Sequence, residues 1–190
     1  MSTAVQNQTI KDELFQIIQR LSFKKGDFVL ASGQRSNYYV DCRLTTLDGR
    51  GSFLIGQLLY EMIEPLHVDA VGGMTLGADP IVSSVLYRSA EVGQKPLSGF
   101  IVRKESKGHG AGGQFAGHLE PWMRVVLVED VVTTGGSTLK AIEAIQKTYP
   151  TVKIEQVLAI IDRNAGGKEA FTRLGIPFQA LFDVQAFLTE

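Results

Sequence analysis

Residues 125–138 read VVLVEDVVTTGGST, and this stretch decides the fold of the chain. An apolar run reaches the adjacent acids Glu129 and Asp130, and a loop of hydroxyl and glycine residues precedes an amphipathic segment. The pattern predicts a buried strand, a turn and a helix. Glycine at 135 and 136 lets the backbone approach a ligand closely, and the free N–H groups of a helix start attract anions. The loop is therefore predicted to bind phosphate, with donors added by the hydroxyls of Thr133, Thr134, Ser137 and Thr138.

The two acids indicate what carries that phosphate. Carboxylates repel phosphate but accept hydrogen bonds from sugar hydroxyls. A ligand with a phosphate at one end and a diol nearby would match both the loop and the acid pair, which indicates a ribose 5-phosphate. The alternative is an ordinary strand, turn and helix whose acids are merely solvated. A Walker loop is excluded because no Gly-Lys-Ser/Thr follows the glycines.

Composition narrows the class of protein. A chain of 190 residues is the size of one domain. Its formal net charge of −1 provides no global field toward nucleic acid or a membrane surface, and we expect neither as a partner. No apolar run approaches the roughly 20 residues that span a bilayer. The single cysteine, Cys42, indicates a reducing compartment, so a cytoplasmic protein is expected. The histidines at 67, 109 and 118 have no metal-ligand spacing, and no protein metal site is predicted.

Strand and helix patterns alternate from about residue 69 onward. This alternation predicts an α/β fold in which helices flank a mostly parallel sheet. Residues 1–45 do not join the alternation and are predicted to form a small hood on the 46–190 core, within one domain spanning 1–190. The predicted helices are 9–21, 52–63, 80–90, 137–148 and 168–174, and the predicted strands are 28–30, 38–40, 69–73, 99–102, 125–129, 154–162 and 178–182.

Residues 104–117 read KESKGHGAGGQFAG and are predicted to form a loop. Dense glycine makes ordering costly in conformational entropy. The segment nevertheless carries Lys104, Lys107 and His109, with Arg103 at its start. Beside a phosphate site, a basic loop suits a lid that closes over a polyanion and excludes water. The alternative is a solvated surface loop with incidental charges.

Four segments resemble known sequences. Residues 125–138 resemble the phosphoribosyl diphosphate motif of type I phosphoribosyltransferases. Residues 28–41 (FVLASGQRSNYYVD), 103–110 (RKESKGHG) and 161–163 (IDR) resemble the hood signature, the catalytic loop and a base-binding strand end of the orotate phosphoribosyltransferase family. The resemblance implies the type I fold and the conversion of orotate and phosphoribosyl diphosphate to orotidine 5′-monophosphate and diphosphate.

The resemblance also implies a set of site residues. Lys107, Glu129 and Asp130 would be catalytic. The phosphoribosyl diphosphate site would comprise Arg103, Lys104, Lys107, His109, Glu129, Asp130, Val131, Val132, Thr133, Thr134, Gly135, Gly136 and Ser137. Orotate would contact Thr133, Arg163, Tyr38 and Tyr39. A guanidinium can pair with the orotate carboxylate through two hydrogen bonds, although the residue pattern alone favours an ordinary surface arginine at position 163. Magnesium would be held mainly by substrate oxygens and water.

The resemblance further implies a homodimer in which each active site is shared between subunits. The sequence departs from the family pattern at two places. Many bacterial members carry a lysine where this chain has Ala31, and many carry a lysine in the segment that corresponds to residues 73–80, which contains none here. Two alternatives stay open, a purine phosphoribosyltransferase and a non-catalytic regulator on the same fold. The hood signature and the basic loop favour the orotate enzyme over the purine enzyme. A regulator would be expected to carry a DNA-binding module or a basic surface, and the sequence indicates neither.

Overall fold

The computed structural model describes residues 3–29, 33, 35–93, 95–104 and 113–189, with side chains from residue 7 onward. Its helices are α1 (Thr3–Leu21), α2 (Arg43–Thr46), α3 (Gly49–Ile63), α4 (Ala78–Val92), α5 (Gly136–Thr148), α6 (Gly167–Arg173) and α7 (Gln185–Leu188), and a 3₁₀ turn covers Glu64–Leu66. Its strands are β1 (Phe23–Val29), β2 (Arg35–Val40), β3 (Ala70–Met74), β4 (Ser98–Val102), β5 (Phe115–Gly117), β6 (Arg124–Val132), β7 (Lys153–Asp162) and β8 (Phe178–Asp183).

The central feature is a six-stranded sheet in the order β5–β4–β3–β6–β7–β8. Its neighbouring strands are parallel, apart from β5, which pairs antiparallel with β4 at the edge. The predicted α/β fold with a mostly parallel sheet is confirmed.

Strand β6 is buried on both of its faces. Val126 and Val128 join a cluster that includes residues of α1, α3 and α4, whereas Val125 and Leu127 join a cluster with residues of α5. Each of these side chains is at most 1% exposed, and burial of each contributes on the order of 2 kcal/mol. Coverage of both faces explains why the strand reads as a continuous apolar run. It also fixes the position of the acids that follow Val128.

The order of the strands creates a crevice. β3 connects through α4 to β4 on one side, and β6 connects through α5 to β7 on the other. Where adjacent parallel strands send their connections in opposite directions, ligands bind beyond the carboxyl ends. Residues 74–77 and 129–138 meet at this switch point.

The N-terminal residues contribute to two structures. Strands β1 and β2 pair antiparallel in a separate two-stranded sheet. Helix α1 instead packs the fully buried Leu14 and Ile18 into the cluster that α3 and α4 also join. The hood boundary near residue 45 stays a prediction.

Several element boundaries differ from the predicted ones. The elements α2, β5 and α7 were not predicted, because segments this short show no periodicity. Strand β5 corrects the expected loop at 104–117, since its end pairs with Phe100–Val102 of β4. Helix α1 begins at Thr3 rather than Thr9, because no glycine or proline stops it there. Strand β6 continues to Val132, so the two acids lie within the strand.

Candidate active site

The turn between β6 and α5 borders a cavity of about 340 Å³. Gly135, the residue before α5, has a φ of +77°, which residues with side chains rarely adopt. A Cβ at this position would also lie 2.8 Å from the ring of Phe171, so the turn requires glycine. The cavity is lined by Glu129, Val131, Val132, Thr133, Thr134, Gly135, Gly136, Ser137, Thr138 and Lys140.

The cavity is suited to an anion. The first N–H groups of α5 have no acceptor within the helix, and they lie at the positive end of its dipole. Thr134 and Ser137 are exposed and line the cavity, and Lys140 lies about one turn further along the helix. The N–H of Gly167 donates to the Thr133 carbonyl oxygen at 3.1 Å, which ties the turn to α6. The structure thus places these donors along one cavity at the predicted phosphate position.

The acids lie at the floor of this region. Glu129 is 8% exposed, and its Oε2 accepts a hydrogen bond of 2.9 Å from Oγ1 of Thr138. The Thr138 hydroxyl therefore serves the carboxylate, which corrects its predicted role as a phosphate donor. Oδ1 of Asp130 accepts from the N–H of Val131 at 2.9 Å.

Burial makes ionisation of both acids unfavourable. Burial, reinforced by the neighbouring Asp130 charge, raises the pKa of Glu129 to about 7. Burial also raises the pKa of Asp130, against the opposing effect of the Val131 N–H. The Thr138 hydroxyl and the Lys104 charge act in the other direction on Glu129. Such opposed influences on a buried pair are typical of functional sites.

A second cavity of about 300 Å³ adjoins the first and shares Glu129, Val131 and Ser137 with it. A Cβ on Gly77 would lie 2.7 Å from Oδ1 of Asp130 and 3.2 Å from Oε1 of Glu129, so the β3–α4 loop passes directly against the acid pair. The lining comprises Tyr39, Val40, Asp41, Arg43, Met74, Thr75, Leu76, Gly77, Lys104, Glu129, Asp130, Val131 and Ser137.

The residues predicted to bind the base converge on the same end of the sheet. Arg163 follows β7 directly, and its backbone N–H donates to the carbonyl oxygen of Val132 at 2.9 Å. Nε of Arg163 donates to the hydroxyl of Tyr38 at 3.0 Å. Thr133 lines the first cavity and Tyr39 the second, whereas the described linings include neither Arg163 nor Tyr38.

The basic loop is described only at its two ends. Lys107 and His109 lie outside the described residues. Lys104 lines the second cavity, where it stands across from the acid pair. The backbone N–H of Arg103 donates to the Gln114 carbonyl oxygen at 2.8 Å, and its Nη1 donates to the Gly113 carbonyl oxygen at 3.1 Å. The start and the end of the loop are therefore joined beside the site.

Sequence reasoning missed part of the site. Asp41 and Arg43, which are paired at 2.7 Å, line the second cavity. Arg43 lies outside every motif, and Asp41, the last residue of the hood signature, was given no site role. The close approach of Gly77 depends on the adjacency of β3 and β6 and has no local signal. The donation from Thr138 to Glu129 could have been anticipated, since a hydroxyl in the first turn of a helix can reach back to the preceding strand.

The described residues contain no group of three or more His, Cys, Asp or Glu side chains arranged to hold a metal ion. They also contain no helix with the length and apolar character needed to cross a bilayer.

Comparison with known proteins agrees with this geometry. The profile of the phosphoribosyl transferase domain matches residues 53–172, from α3 to α6. A site of this kind at the switch point of such a sheet, together with this match, defines a phosphoribosyltransferase.

Relatives define the family more closely. Orotate phosphoribosyltransferase of Rhodopirellula baltica is 43% identical over 93% of each chain, and that of Thermosynechococcus vestitus is 45% identical over 95% of this chain and 96% of its own. The crystal structure of Mycobacterium tuberculosis orotate phosphoribosyltransferase in complex with 5-phospho-α-D-ribosyl 1-diphosphate has a TM-score of 0.78 at 31% identity, covering 94% of this chain and 98% of that one. The chain belongs to the orotate phosphoribosyltransferase family.

Proposed function

We propose that the chain transfers ribose 5-phosphate from phosphoribosyl diphosphate to orotate, giving orotidine 5′-monophosphate and diphosphate in pyrimidine biosynthesis. The observation that carries the assignment of residues is the pair of adjoining cavities that share Glu129. A ribose 5-phosphate spanning them places its phosphate at the start of α5 and its hydroxyls at the acid pair. Residues 131–137 bind the phosphate, mainly through N–H and hydroxyl donors.

The acid pair acts on the ribose. In the reaction the bond from the anomeric carbon to the diphosphate oxygen breaks, a bond to the orotate nitrogen forms, and that nitrogen loses its proton. Positive charge builds on the ribose ring in the transition state. Ionised Glu129 and Asp130 accept hydrogen bonds from the ribose hydroxyls and stabilise that charge in a site shielded from water.

The basic residues act on the leaving group. Arg103, Lys104, Lys107 and His109 bind the diphosphate, and Lys107 contributes most to catalysis. Lys104, which lines the cavity beside the acids, supports this placement. Glu129 and Asp130, beside the substrate oxygens, also suit a hydrated Mg²⁺, which would be held mainly by those oxygens and water. When bound, the cation supplies charge neutralisation of the leaving diphosphate.

The base is bound between the hood and the core. Arg163 pairs with the orotate carboxylate, Thr133 contacts the ring from the β6–α5 turn, and Tyr38 and Tyr39 present the hood backbone. The contact between Arg163 and Tyr38 supports this arrangement, because it brings the two parts of the chain together at the carboxyl end of β7. The division into a hood (1–45) and a core (46–190) within one domain is part of the proposal.

The functional unit is a homodimer with shared active sites, located in the cytoplasm. A groove of about 530 Å³ between α3 and α4 supports the dimer. Its lining includes two large hydrophobic residues, Phe53 and Tyr87, which are 47% and 81% exposed. Exposed apolar surface of this kind is typical of interaction sites. Leu76, which lies in the loop before α4 and lines the second cavity, is 69% exposed and offers further apolar surface. A second copy seated there would stand next to the diphosphate site.

One assay tests the assignment. Orotate, uracil, adenine and hypoxanthine are offered in parallel with phosphoribosyl diphosphate and Mg²⁺. Orotate should be turned over, and uracil, which lacks the carboxylate, should be used about a hundredfold less well or worse, because the charge of Arg163 would be left unpaired. Asp130→Asn, prepared identically, serves as the inactive control. Equal use of uracil, or preference for a purine, would contradict the proposal.

A further inference from the structure

A side-chain hydrogen bond joins Tyr38, in β2 of the hood, to Arg163, the residue that follows β7. Nε of Arg163 donates to the Tyr38 hydroxyl at 3.0 Å across 125 positions of sequence. The guanidinium carbon also lies 4.8 Å from the centroid of the Tyr38 ring. A cation at this distance from an aromatic face is attracted by the ring quadrupole. The arginine is therefore held by two different interactions with one side chain.

Tyr38 is itself held in place by other aromatic residues. Its ring stacks on Phe23 with centroids 5.5 Å apart and planes inclined by 15°. Phe23 stacks in turn on Phe187, which is fully buried in α7. The hydroxyl of Ser36 donates to the Tyr38 carbonyl oxygen at 2.7 Å. The phenol is thus a fixed point rather than a free surface group.

Arg163 is fixed at its other end by the core. Its backbone N–H donates to the Val132 carbonyl oxygen at 2.9 Å, so its Cα is registered against the end of the phosphate-binding strand. With Nε engaged by Tyr38, the orientation of the guanidinium plane is set. Its two terminal nitrogens make no hydrogen bond to any other described residue. They present two parallel N–H donors, which is the geometry that binds a carboxylate through two hydrogen bonds.

We propose that Tyr38 is a positioning residue that holds the Arg163 guanidinium with its terminal nitrogens available to the carboxylate of the base. The inference rests on the proposed function, in which Arg163 binds that carboxylate. It adds that selection of a carboxylated base depends on the hood through the phenol of Tyr38. Without that hydroxyl the arginine retains its charge and its contact with the ring but loses the hydrogen bond that orients the guanidinium plane.

The test is a set of four proteins: the wild type, Tyr38→Phe, Arg163→Lys and the double variant. Tyr38→Phe keeps the ring that packs on Phe23 and removes only the hydroxyl. The KM for orotate should rise about tenfold, as expected when a hydrogen bond to a charged group is lost. The kcat and the KM for phosphoribosyl diphosphate should change by less than about twofold, because neither depends on the orientation of Arg163. Tyr60→Phe, in a separate cavity with His67 and Lys95, is the matched control for loss of a phenol hydroxyl.

The double variant separates positioning from general packing. Adding Tyr38→Phe to Arg163→Lys should not raise the KM for orotate further, because the group that Tyr38 orients is already gone. If Arg163→Lys raises this KM and Tyr38→Phe does not, the positioning role is wrong and the proposed function stands. If neither raises it, Arg163 does not bind the carboxylate, and both assignments fail. If Tyr38→Phe lowers the melting temperature and changes all three kinetic constants together, its role is structural and the inference is overturned.

Discussion

The Glu129 carboxyl group lies in an environment that opposes its ionisation. Burial and the adjacent Asp130 raise its pKa to about 7, well above the ordinary value of 4.5. In the proposed mechanism Glu129 acts in its ionised form, because only a carboxylate accepts hydrogen bonds from the ribose hydroxyls on both oxygens and stabilises positive charge. Thr138 favours that form through its 2.9 Å donation to the carboxylate.

Thr138→Val should change the pH dependence of the reaction. The substitution keeps the size of the side chain and removes the donor, so the pKa of Glu129 should rise further. Ionised Glu129 then becomes available only at higher pH, and the acid limb of kcat/KM should move to higher pH, while activity well above pH 8 should be less affected. Thr138→Ser, which keeps the hydroxyl, should restore the wild-type profile. Identical pH profiles for Thr138→Val and the wild type would show that the hydrogen bond from Thr138 does not influence the ionisation of Glu129 on which activity depends.

The glycine-rich connection from β4 to β5 is the element that closes the site in the proposed mechanism. The structure describes its two ends, where Arg103 and Gln114 are joined by a backbone hydrogen bond of 2.8 Å. Pairing of β4 with β5 thus places both ends of the segment at the sheet edge beside β3.

Lys107→Ala should lower kcat strongly and leave the melting temperature nearly unchanged. The lysine is predicted to act on the leaving diphosphate, and a side chain that functions in a lid contributes little to the packing of the core. Activity and thermal unfolding are measured on the same preparations. Lys147→Ala, an exposed lysine at the end of α5, is the control for loss of a lysine elsewhere. A large fall in melting temperature for Lys107→Ala would mean that this lysine is structural.

The crevice at the switch point brings together segments that are far apart in the chain. Glu129 and Asp130 come from β6, Gly77 from the β3–α4 loop, Lys104 from the end of β4 and Tyr39 from the hood. The proposed dimer adds a second copy along the exposed face of α3 and α4, at the edge of this crevice. Its arrangement determines whether each lid acts on its own subunit or on its partner.

Mixed dimers of two defective chains should recover activity. Lys107→Ala has a defective lid, and Asp130→Asn has a defective sugar site, so each homodimer should be nearly inactive. When the two are unfolded and refolded together in equal amounts, about half of the dimers are mixed, and each mixed dimer contains one site made from two intact parts. Activity should return to about a quarter of that of the wild type. No recovery, with mixed dimers verified by mass, would show that each lid closes over its own subunit.

The predictions that succeeded rest on local pattern. The acid pair, the turn and the start of α5 occupy one unbroken stretch, so the order of apolar, acidic and glycine residues is enough to specify a strand, a turn and a helix start. The same local logic placed Arg163 at the end of a strand. It could not place β5, because three residues carry no periodic signal and their pairing with β4 is a contact made across the loop.

The tertiary structure alone decided two things: the contacts between distant segments and the energies that depend on burial. The hydrogen bond from Arg163 to Tyr38 requires the hood to stand over β7, and no pattern in either segment encodes that placement. The approach of Gly77 to the acids depends on β3 lying beside β6. The raised pKa of Glu129 has the same origin, because desolvation is a property of everything packed around a carboxyl group and not of the residues next to it in the chain.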